Sequence, residues 1–237
     1  TVHDVVPFVF PAGDARVRER EQAPLVRTAQ RARRIVADSA FAAGEIAAQL
    51  RVPRERIAVA PLGVAPPFVP QGERFAAAGG RPYVLHVGAH DARKNVGTLI
   101  AAWQRAFPAA EVALAFTHAP AVLPPGAFVV EGPGDAALAA LYRGARLVAV
   151  PSLDEGFGLP LLEALACGAP ALASRVAALP EVGGDAAAWI DEPRSMAEWA
   201  GALERLARDD GAAAELAARG PAQAAPFTWE RCARLVL

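Results

Sequence analysis

The chain has 237 residues, 54% of them hydrophobic and 21% charged, with a formal net charge of −1. That length suits one large or two small domains, and near-neutral charge with 7% aromatics excludes a nucleic-acid surface built on a basic footprint or on base stacking. The two cysteines, Cys167 and Cys232, lack metal-ligand spacing and fit a reducing compartment, and no apolar run reaches the roughly 18 residues needed to span a bilayer.

Residues 1–10, Thr1-Val-His-Asp-Val-Val-Pro-Phe-Val-Phe10, begin without Met and without a polar lead. They read as the end of an inner strand with its connection, which implies sequence upstream of it. Residues 14–33 place Leu25, Val26 and Ala29 at helical spacing among seven nearby arginines, so a surface helix with a solvated basic face is expected. The same face would also suit an acidic acceptor or anionic lipid heads. Residues 34–37 form a short strand, and Asp38 or Ser39 caps a helix that runs to about Leu50 and is stopped by Pro53. Residues 57–60 are the next strand, and Pro61-Leu-Gly-Val64 closes this first unit, 1–64. Residues 65–80, rich in Pro and Gly and without periodicity, read as a linker.

A second unit, 81–225, opens on the strand that ends at Gly88. The loop after it carries Arg93 and Lys94 and leads into a helix over 95–107. A glycine-ended strand, a basic loop and a helix N-terminus together make a phosphate site. Strands at 111–116, 127–130, 147–150 and 169–173 then alternate with helices, one of them capped by Asp135. That alternation implies a doubly wound parallel sheet, with ligands outside its C-terminal strand ends. Between the strand 147–150 and the next helix lies Glu155-Gly-Phe-Gly-Leu-Pro-Leu-Leu-Glu163. Gly156 and Gly158 let backbone amides approach a ligand, and the helix start favours an anion. An anion cradle flanked by two carboxylates fits a nucleotide sugar. Glu181–Asp185 reads as a turn and 187–190 as a last strand. Ser195 caps a helix to about Arg208, a second helix covers 211–219, and Thr228 caps a terminal helix within 226–237.

The run from Pro151 to Pro170, with Leu179-Pro-Glu-Val182 behind it, resembles the two-glutamate motif of retaining glycosyltransferase family 4, a family with the GT-B fold. The resemblance implies two Rossmann-like domains, here the end of an N-terminal acceptor domain and a complete C-terminal donor domain, with the last helix crossing back. It implies that Gly88, Arg93, Lys94, Gly156, Phe157, Gly158 and Leu159 bind the donor, with the amides and cations on its diphosphate. Glu163 would hold the ribose, Glu155 the sugar near the reacting carbon, and the loop 131–134 the base. His3-Asp4 is similar to a His-Asp pair of the family, which makes His3 a hydrogen-bond donor to the sugar. Some members of the family carry a further Arg directly after the strand-ending glycine; that position is Ala89 here.

The reaction so implied moves a hexose, with mannose from GDP-mannose the first candidate, to a glycan or lipid-linked acceptor. It calls for no cofactor, and no Asp-x-Asp pair is present to hold a metal. Such enzymes commonly build cell-surface polysaccharide at the cytoplasmic membrane face, which implies peripheral membrane association. Two other readings stay open on the residues: a phosphorylase or epimerase on the same scaffold, and a non-catalytic nucleotide-sugar-binding subunit that needs a separate N-terminal partner. Glu155→Ala and Lys94→Ala are expected to lose turnover while staying folded.

Overall fold

Short runs rich in Val, Ile and Ala become two parallel sheets in a computed structural model, which describes residues 1–237. The first unit holds α1 (Val6–Val9), α2 (Ala15–Arg31), β1 (Ile35–Ala37), α3 (Ala40–Leu50) and β2 (Ile57–Val59). β1 and β2 pair in parallel, and Ile35, Ala37, Ile46, Leu50 and Ile57 form their core with Val5 and Ala29. Ser39 caps α3, its hydroxyl accepting from the Ala42 amide. No strand forms in 1–10: Pro7 starts the one-turn α1, and Val2 alone runs beside β1, donating to the Val36 carbonyl at 2.9 Å.

The second unit is built on β3 (Tyr83–His86), β4 (Ala113–Phe116), β5 (Ala127–Val129), β6 (Leu147–Val150), β7 (Ala171–Ser174) and β8 (Ala187–Ile190). All six strands are parallel, in the order β5-β4-β3-β6-β7-β8. Every strand end therefore points the same way, and the winding reverses between β3 and β6. Alternation along the strands divides the core into two layers. Tyr83 and Leu85 face one layer with α5 (Asp135–Gly144), α6 (Leu159–Ala166) and α7 (Leu179–Gly183). Val84 faces the other, against Leu99 and Trp103 of α4 (Val96–Ala106) and Trp199 and Leu203 of α8 (Met196–Arg208). α9 (Asp210–Ala224) packs on α6.

Three local expectations are corrected. Asp135 lies inside the first turn of α5 with Gly134 at the cap, where its charge still complements the helix dipole. The segment expected as a turn after Glu181 is the end of α7, begun by Pro180 in its first turn. The second C-terminal helix runs on through Gly220 and Pro221, because Gly220 lets it lie against the Leu165 backbone of α6.

Residues 65–80 contain no strand or α-helix but are fastened to the second unit. The buried Arg143 guanidinium donates to the carbonyls of Glu73, Pro67 and Val69. Phe75 stacks on Phe128. α10 (Trp229–Val236) returns to the first unit beside β2. It does so where Gly63 has no side chain, since a Cβ there would lie 2.2 Å from the Trp229 nitrogen.

Candidate functional site

The loops that follow β3 and β6 flank the point where the winding reverses, the usual ligand position in such sheets. They are tied to each other. Leu153 donates its amide to the Arg93 carbonyl at 2.7 Å, and Asn95, at the start of α4, donates to the Pro151 and Pro193 carbonyls. Asp91 accepts from the Lys94 amide and so shapes the basic turn.

This brings Arg93, Lys94 and Glu155 together. Arg93 Nη1 donates to Glu155 Oε2 at 2.8 Å, and Lys94 Nζ donates to Oε1 at 2.5 Å. Ser152 Oγ also donates to Oε1, at 2.7 Å, and Arg93 reaches the Asp154 carbonyl. The Glu155 side chain is 8% exposed, and Lys94 is buried behind it. Burial by itself would raise the Glu155 carboxyl, but the Lys94 and Arg93 charges and the Lys94 and Ser152 hydrogen bonds outweigh it and hold it below the usual carboxylate range. Its neighbour Asp154 is pushed up to about 6, chiefly by burial.

Arg93 and Glu155 line a cleft of about 490 Å³ together with Gly156, Phe157, Gly158 and Leu159, where α6 begins. The Phe157 ring is buried against Phe227, 5.9 Å between centroids. Gly88, after β3, donates its amide to Thr117 Oγ1 and stands next to the Lys94 side chain. The first unit also lines the cleft, with His3, Asp4, Asp38 and Leu62, and Trp229 of α10 joins them. His3 Nδ1 pairs with Asp38 Oδ2 at 2.7 Å. Gly156 touches the first unit, because a Cβ on it would lie 2.3 Å from the His3 carbonyl oxygen, and its own carbonyl accepts from Ser39 Oγ at 2.6 Å.

Glu163 lines a separate, smaller cavity of about 220 Å³, with Gly63, Val64 and Asp135; the two cavities share Leu159 and Trp229. Tyr142 donates its hydroxyl to Glu163 Oε2 at 2.9 Å. Burial pushes Glu163 up to about 7; the Tyr142 hydrogen bond opposes this and the Asp135 charge adds to it.

Sequence reasoning missed Asp38 as a site residue, along with Ser152, Tyr142, Trp229 and Glu181. Asp38 had a signal, because it follows a strand as Arg93 and Glu155 do. Tyr142 had none, since its reach to Glu163 depends on how α5 and α6 pack. Glu181 accepts from the Ala40 and Phe41 amides at 2.9 and 2.7 Å, so a carboxylate of the second unit caps α3 of the first.

A profile of the family described as "Glycosyl transferases group 1" matches residues 81–209. The O-antigen chain mannosyltransferase B of Escherichia coli is 31% identical over 98% of this chain and 67% of its own length. The D-inositol 3-phosphate glycosyltransferase of Rhodococcus erythropolis (strain PR4 / NBRC 100887) is 44% identical over 40% of this chain and 22% of its own. Among solved structures, sucrose-phosphate synthase from Thermosynechococcus elongatus superposes with a TM-score of 0.78 at 21% identity, over 99% of this chain and 64% of that one. Anabaena HepE in complex with UDP and glucose gives 0.79 at 16%, over 99% and 69%. This chain thus spans about two thirds of the length of the relatives that cover it throughout. With the profile over more than half of the chain, the mannosyltransferase over nearly all of it and the fold shared with these structures, the chain belongs to the group 1 glycosyltransferases, family 4, of the GT-B fold.

Proposed function

We propose that the chain binds a nucleoside-diphosphate sugar across the two cavities and transfers its hexose, with retention, to a glycan or lipid-linked acceptor. The observation that carries this is the meeting of Arg93, Glu155 and the start of α6 in one cleft at the reversal of the sheet, with Lys94 paired to Glu155 behind them. Departure of the nucleoside diphosphate builds negative charge, which fixed donors stabilise without reorganising. Arg93 and the amides of Gly156–Leu159 face that charge, with Lys94 behind. Glu163 takes the ribose hydroxyls in the adjoining cavity.

Glu155 acts first by holding Arg93 and Lys94 in place. A carboxylate has about four acceptor positions, and three are in use here. The remaining one, on Oε2, is available to a sugar hydroxyl. Mannose is the first hexose to test, since a mannosyltransferase is among the relatives. The domain division at residues 64 and 81 fits the two sheets, with α10 crossing back.

Calorimetry with UDP, GDP, UDP-glucose and GDP-mannose, followed by NMR of any glycoside formed, tests the reading. Tight binding of one nucleotide sugar and an axial-to-axial anomeric outcome support it. Binding without transfer, in the presence of an upstream segment, favours the non-catalytic subunit.

A further inference from the structure

Asp38 directly follows β1, and its side chain is 3% exposed. Its Oδ2 pairs with His3 Nδ1 at 2.7 Å, while Oδ1 is buried with no partner. A buried, unpaired acceptor costs free energy. Capping α3 does not account for that cost, because Ser39 already caps it. The His3 side chain, by contrast, is 68% exposed on the cleft wall, and its Nε2 makes no hydrogen bond within the chain.

A carboxylate can only accept, so the ring nitrogen facing it carries the hydrogen. In a neutral imidazole the other nitrogen is then a lone-pair acceptor. We propose that Asp38 is a positioning residue that fixes His3 as its Nδ1–H tautomer, so that Nε2 accepts a hydrogen bond from a hydroxyl of the donor sugar. This rests on the donor-site reading above and reverses the polarity expected from the sequence, in which His3 donates. It also makes the pair selective, because a sugar lacking that hydroxyl leaves Nε2 unpaired.

Two measurements test it. Side-chain ¹⁵N NMR at about pH 8.5, two units above the ordinary imidazole value, reports the tautomer directly. Wild type should show Nδ1–H for His3, and Asp38→Asn and Asp38→Ala should lose that signature. A wild-type Nε2–H ring overturns the proposal whatever binds. Calorimetry with GDP-mannose and GDP then reads the function. Asp38→Asn should weaken GDP-mannose about fivefold, the worth of one hydrogen bond, and leave GDP unchanged. In a His3→Ala background it should have no further effect. Equal losses for both ligands, or a loss that persists without His3, make Asp38 structural and overturn the proposal. If wild type binds the uridine pair instead, the same comparison is made with UDP-glucose and UDP; failure of all four ligands to bind removes the donor-site reading, and the role for His3 with it.

Discussion

Glu155 accepts from Arg93, Lys94 and Ser152 at once, so removing its carboxylate has two consequences. It takes away a sugar contact, and it leaves two largely buried cations without a counter-charge. Breaking a buried pair from one side costs about 3–5 kcal/mol. Glu155→Ala should therefore lower the melting temperature as well as turnover, a cost that the expectation of a folded, inactive variant did not include; Glu155→Gln, which still accepts at one oxygen, should melt closer to wild type. Glu163 supplies a pH dependence. With its carboxyl raised to about 7, it is ionised above that value and can accept two ribose hydroxyls. Below it, it holds a proton. GDP or UDP affinity should thus weaken as pH falls from about 8 to about 5.5, and Glu163→Gln should flatten the part of that trend not due to phosphate ionisation. Equal slopes for the two proteins would remove Glu163 from the ribose. At this scale the sequence showed which residues bear charge, but not that Glu155 spends itself on Arg93 and Lys94. That pairing depends on how the loops after β3 and β6 are tied together.

At the scale of elements, most strands and helices were readable because their apolar periods and caps agree. Ser39, Ser195 and Thr228 each accept a first-turn amide, as their positions implied. Besides the α5 cap and the end of α9, the misread pieces are α1 and α7, where proline starts a helix too short to carry a period. Glu181, read as part of a turn, caps a helix of the other unit. Glu181→Ala should cost about 1 kcal/mol, the usual worth of a cap, and speed hydrogen exchange at the Ala40 and Phe41 amides. Unchanged exchange there would mean that α3 does not need the contact. Gly63→Ala should dislodge α10, since its Cβ would overlap the Trp229 backbone. Limited proteolysis should then cut near residues 226–237 sooner than in wild type. An unchanged cleavage rate would mean that the helix is held elsewhere.

For the whole molecule, the alternation of strands and helices gave a parallel sheet, but not its strand order. Only the pairing of β3 with β6 puts the two site loops side by side. Nor could spacing alone show that the first unit lines the cleft. Ser39 and Gly156 meet across 117 positions, and Glu181 meets Ala40 across 141. The central claim is that this cleft holds a diphosphate on Arg93 and the start of α6, with Lys94 behind them. Calorimetric titration of wild type and Arg93→Ala with UDP or GDP, whichever the wild-type chain binds, tests it most directly. Charge-assisted hydrogen bonds of about 1.5–3 kcal/mol predict a loss of roughly tenfold to a hundredfold in Arg93→Ala; equal affinity in the two proteins would contradict it.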